Sequence, residues 1–105
     1  MFKLIIDMKL NFSVPFLQLD GTPFRENGED LLLSKILKNA LSFVQEGIEP
    51  LKGLDWMLKL EKGEVLDLDR TDQEKLKRLI TDGIKGLSLI ARGRLLEVFE
   101  QKEHS

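Results

Sequence analysis

Apolar and polar positions along this 105-residue chain change period once, from alternation near the start to a helical spacing further on. Phe2, Leu4 and Ile6 stand at alternate positions, and the register continues through Met8, Leu10, Phe12 and Val14 against Lys9, Asn11 and Ser13. Successive side chains of extended backbone point to opposite faces, so this alternation predicts a half-buried strand. Pro15 has no N–H to give to a ladder, so the strand must end, bulge or run along an edge there. Residues 16–19 then meet Asp20-Gly21, a pair that tolerates the positive φ of a tight turn, and Thr22-Pro23-Phe24 leads back. A β-hairpin over about residues 8–24 is expected. Met8, where the pattern is clearest, is also a candidate translation start, which would make residues 1–7 an upstream extension.

After the polar loop at Asn27-Gly28 the spacing becomes three and four. Leu33, Ile36, Leu37, Ala40, Leu41 and Val44 predict a first helix, stopped by Gly47 and kept from resuming by Pro50. Residues 51–62 predict a second, with Leu51, Leu54, Met57 and Leu58 as its apolar set, widened by Trp56 and Leu60, and Gly63 just past its end. Residues 64–69 are expected to be an extended linker. Thr71 and Glu74 have the spacing of a capping box and predict a third helix over 71–82, with Leu76, Leu79 and Ile80 on one stripe. After a break at Asp82-Gly83, Ile84, Leu87, Ala91, Leu95 and Phe99 predict a fourth helix over 84–100. Strands first and helices after indicate an α+β fold: an N-terminal β-hairpin (about 8–24) followed by a bundle of about four helices, in a single domain spanning 1–105 with a fraying tail at 101–105.

Composition narrows the chemistry. With 42% hydrophobic and 32% charged residues and a net charge of −2, the chain reads as an ordinary globular domain. No apolar run reaches the ~18 residues that would suggest a membrane span. The apolar start stops at Asp7 and lacks a cleavage site, so the expected compartment is the cytoplasm. The absence of cysteine removes disulfides, thiol catalysis and cysteine-based metal sites. His104, the one histidine, lies in the tail, where nothing orients it as a base or ligand, and no serine has a histidine partner. Gly83, Gly86 and Gly93 lack the strand–loop–helix setting of a phosphate loop. Glu64, Asp67, Asp69 and Asp72 could offer oxygens to a hard cation, but without the glycine and distal glutamate of an EF-hand they read as a solvated linker and a helix N-terminus. No catalytic, metal or cofactor residue is therefore expected.

Charge is unevenly placed. Residues 75–94 hold six basic side chains (Lys75, Lys77, Arg78, Lys85, Arg92, Arg94) against one acid, Asp82, whereas residues 1–70 are net −3. Two helices with a break between them suggest a helix-turn-helix that would use these cations on nucleic acid. Against this, the expected recognition positions, Ile84 to Ser88, offer only Lys85 as a good base reader, and overall acidity opposes phosphate binding.

The order Met8-Lys-Leu10, Leu19-Asp-Gly-Thr-Pro23, Leu33-Ser-Lys-Ile-Leu-Lys-Asn-Ala-Leu41, Leu66-Asp-Leu68 with Asp72, Leu76 and Ile80, and Arg94-Leu-Leu-Glu97 resembles small proteins of tailed phages and prophages. The resemblance implies a phage-encoded, non-enzymatic protein of particle or tail assembly in a bacterial host cell, and carries no catalytic residues with it. Leu31, Leu32, Leu66, Leu89 and Leu96 have no place on a single stripe. With Trp56, which is more often core, they point to apolar surface left for a protein partner or a second copy, so a homo-oligomer is expected. Trp56, Leu89 and Leu96 are the candidate interface residues. A small nucleic-acid-binding regulator is the alternative.

Overall fold

In the computed structural model, which describes residues 8–44 and 46–103, the chain folds as α+β, two small antiparallel sheets joined to four helices. The alternation at Phe2–Leu4–Ile6, the upstream extension and the tail histidine His104 lie outside the described residues.

The N-terminal strand β1 (Met8–Leu10) alternates as expected, and its apolar side continues inward through buried Leu10 and Phe12. Its partner is not residues 16–24. It pairs antiparallel with β4 (Leu66–Leu68), with Met8 opposite Leu68 and Leu10 opposite Leu66. The supposed linker at 64–69 is thus partly a strand, because Leu66 and Leu68 also alternate inward and are fully buried.

The hairpin itself turns at Asp20-Gly21. The Gln18 N–H donates to the Thr22 carbonyl at 2.8 Å and the Phe24 N–H to Phe16 at 2.9 Å. Gly21 takes φ +90°, and the Asp20 carboxylate accepts from the Thr22 amide and hydroxyl at 3.0 and 2.7 Å. A second reversal follows: β2 (Arg25–Glu26) pairs with β3 (Glu29–Asp30) across Asn27-Gly28, both at positive φ as a type I′ turn requires. The Phe16 N–H then reaches the Leu31 carbonyl, so three short segments close on one another around the Phe16–Phe24 ring pair.

Helix α1 (Leu33–Leu41) ends well before Gly47. Ser42 to Val44 make tighter turns instead, with the Phe43 N–H on the Ala40 carbonyl and the Ser42 hydroxyl on that of Asn39. Helix α2 (Pro50–Glu61) starts on Pro50, whose missing N–H costs nothing at a first helical position. It ends in a Schellman motif with Gly63 in the left-handed region: Glu64 N–H bonds Lys59 and Gly63 N–H bonds Leu60.

Helix α3 (Arg70–Arg78) is capped two residues earlier than the Thr71–Glu74 box. The Asp69 side chain is the N-cap, accepting from the Asp72 amide at 2.8 Å, while Glu74 faces Arg70. A single π-helical turn (Leu79–Gly83) follows, closed by the Ile84 N–H on the Leu79 carbonyl at 2.9 Å. Residues 84–88 are a loop through Gly86 at φ +94°, and α4 (Leu89–Glu103) begins later than the spacing suggests. One core runs through all these pieces. Phe12 meets Phe99 edge-on at 6.1 Å between ring centres, with Leu10, Leu37, Leu66, Leu76, Ile80 and Leu95 fully buried around them.

Candidate functional site

The apolar surface lies at the end of α1. Ile36, Ala40 and Phe43 follow at four and three residues, along the flank of the buried Leu33–Leu37–Leu41 face. Because α1 stops at Leu41, Phe43 is carried out on the turn and is 81% exposed. Across from it, the 84–88 loop brings Leu87 alongside. Between them runs a groove of about 390 Å³, floored by Phe16, Ile36, Ala40, Leu87 and Ala91. A second hollow of about 330 Å³ opens on the other side of Phe43, beside Val44, Gly83 and Ile84. Lys85 stands at the rim of both. Leu89, the first residue of α4, adds another apolar side chain that is 85% exposed.

The polar groups around the first groove are Asn39, Lys85 and Ser88. The Ser88 hydroxyl accepts from the Ala91 amide at 3.2 Å and so caps α4. A mainly apolar floor with a thin polar rim suits the burial of another apolar surface.

Of the three expected interface residues, Leu89 stands out at the surface. Trp56 does not: it is 4% exposed, inside the core between Gly53 and Leu60 on the inner face of α2. Leu96 is half-buried against the same core. Among the other leucines without a stripe, Leu66 is fully buried on β4, Leu31 packs on the core, and Leu32 stays at the surface. Phe43 was missed because it sits one helical step outside the stripe that predicted α1. The usable signal was a large aromatic following Ile36 and Ala40 at helical spacing.

Three of the six cations are engaged within the fold. The Arg94 guanidinium donates to the Leu17 and Gln18 carbonyls at 3.0 and 2.7 Å and meets Glu97, tying α4 to the hairpin. Arg92 donates to the Ile84 carbonyl at 3.0 Å and steadies the loop before α4. Lys77 lies over the Phe99 ring, 5.4 Å from its centre. Lys75 is half-buried, and Arg78 and Lys85 are exposed. The helix-turn-helix spacing is also not kept, since a π turn and a five-residue loop (84–88) separate α3 from α4. The residues opening α4 are Leu89 and Ile90, which offer no hydrogen bond to a base edge.

Of the four carboxylates at 64–72, Asp69 and Asp72 have structural partners. Asp69 caps α3, and Asp72 takes the Lys52 ammonium at 2.8 Å, a bond that holds the Lys52 pKa above its usual value. Asp67 is exposed on β4 opposite Lys9. Among the described residues no group of three or more acids or histidines is placed to hold a metal ion, and no helix is long and apolar enough to cross a membrane. Compared with protein-family models, with curated proteins and with solved structures, the chain matches none.

Proposed function

We propose that this chain is a non-enzymatic association module that docks protein surface on the Phe43–Leu87–Leu89 face, with a second copy of itself as the favoured occupant. The observation that carries this reading is the exposure of Phe43, which lines the apolar groove, together with that of Leu89, which follows the groove-lining Ser88 in the chain. Apolar side chains this large are usually covered, and a patch of them on a small domain marks association. A two-fold pairing needs only one such face, which then meets its own copy. A net charge of −2 gives two copies little mutual repulsion. The resemblance to small phage and prophage proteins supports an assembly role in a phage particle or tail.

The test is the Phe43→Ser, Leu89→Ser double variant, followed by light scattering. Self-association of the parent chain should be lost while helix content is kept. The alternative, a nucleic-acid-binding regulator using Lys75, Lys77, Arg78, Lys85, Arg92 and Arg94, loses support from the engagement of Arg92 and Arg94 with backbone carbonyls. It predicts anisotropy of a labelled random duplex that rises at low salt and collapses as salt is raised. Binding of that kind, unchanged by the double variant, would displace the association reading.

A further inference from the structure

Phe43 is the one aromatic ring among the described residues left mostly in solvent, and it lines both hollows on its face. Beside this knob lies a receptacle. The larger groove, about 390 Å³, keeps its space because Ala40, Gly86, Ser88 and Ala91 put little bulk there, while Phe16 and Leu87 make it apolar. A dry apolar cavity of ~150 Å³ takes up benzene, so this groove has room for a phenyl ring. The chain's own Phe43 stands at the edge and does not fill it. Knob and groove adjoin, so a two-fold axis beside Phe43 would satisfy both at once. Each ring would enter the other copy's groove, and since Phe43 also lines that groove, the two rings would meet across the axis.

Charge points to the same occupant. Glu46 and Lys85 both line the second hollow, are exposed, and have no ion-pair partner among the described residues. One acid and one base on such a face are self-complementary. A two-fold operation that sets Glu46 against Lys85 of the second copy also sets Lys85 against its Glu46. A uniformly acidic or basic partner would satisfy only one of them.

We infer that two copies pair by reciprocal insertion, the Phe43 ring of each seated in the Ala40–Leu87–Ala91 groove of the other, with Glu46 and Lys85 paired across the rim. The inference rests on the self-association proposed above and specifies which groups meet.

Reciprocity has a test that non-specific apolar contact fails. Phe43→Ser removes the knob and leaves the groove; Ala40→Trp fills the groove and leaves the knob. Each alone should sediment as a monomer at concentrations where the parent chain pairs. An equimolar mixture should form a dimer, because one knob and one open groove remain. Far-UV circular dichroism reports whether Ala40→Trp is folded, and the charge pair, on exposed side chains, decides the matter without it. Glu46→Lys and Lys85→Glu should each weaken pairing about tenfold. Glu46→Lys does so although it moves the net charge from −2 to 0, and both swaps on one chain should restore pairing at the parent's −2. A mixture of folded variants that stays monomeric, or a weakening that the double swap does not reverse, would overturn reciprocal insertion while leaving self-association standing. A parent chain that is monomeric throughout would remove both and leave the groove to a different protein.

Discussion

Phe43 shows how one side chain's position can decide a surface. Its ring belongs by spacing to the edge of the α1 stripe, but the helix ends two residues earlier and the turn swings it into solvent. The end of α1 was not legible because no glycine or proline stands there. The Ser42 hydroxyl on the Asn39 carbonyl and the tight turns at Phe43 and Val44 replace the helical bonds, and several residue types can do this. Capping shows the same ambiguity. Asp69 and Thr71 are both competent N-cap residues, and only β4 running directly into Asp69 selects the first. Asp69→Ala should therefore cost about 1 kcal/mol of stability in chemical denaturation, and Thr71→Ala only a few tenths. The reverse order would restore the capping box. By contrast, the turns at Asp20-Gly21, Asn27-Gly28 and Gly63 were readable, since positive φ narrows the choice of residue to a few.

At the scale of elements, α2 is where periodicity misleads. Leu51, Leu54, Met57 and Leu58 make the better stripe by count, yet Gly53, Trp56 and Leu60 face inward. A tryptophan buries more apolar area than a leucine, and Gly53 lets Ile48 close over the helix, so the smaller set wins the core. The same helix is tied to α1 by Lys38 and Glu61, at 2.5 Å. The hydrogen bond and charge of Lys38 hold the Glu61 pKa below its usual 4.5. A depressed carboxylate pKa stabilises the fold above the unfolded value, and that contribution fades as pH falls through the lower, folded value. Lys38→Met should bring Glu61 back toward 4.5, and stability should then fall less between about pH 5 and pH 3. An NMR titration of the Glu61 carboxyl with acid unfolding curves checks both; an unmoved titration would show that the pair does not form in solution. Both groups are exposed enough that the effect on stability at neutral pH should be small.

For the whole molecule, the α+β class was legible, and so was the inward set of the last two helical segments, Leu76, Ile80, Leu95 and Phe99. The pairing of β1 with β4 was not. Two short strands nearly sixty residues apart carry no local signal of each other, whereas a hairpin to the next extended segment is the default that sequence proximity suggests. That pairing draws the N-terminal strand into the helical core, where Phe12 meets Phe99. Phe99→Ala should cost ~3–5 kcal/mol, read from unfolding followed by the emission of Trp56, the one tryptophan and buried with it. A loss under 1 kcal/mol would mean that the Phe12–Phe99 contact does not close the core.

Sedimentation equilibrium of the intact chain over a wide concentration range, beside the Phe43→Ser, Leu89→Ser variant, tests whether the exposed face is an interface. The parent chain should approach twice its 12.1 kDa monomer mass as concentration rises, and the variant should stay at the monomer mass. A parent chain that remains monomeric at every concentration, or a variant that associates equally well, would contradict self-association through Phe43 and Leu89.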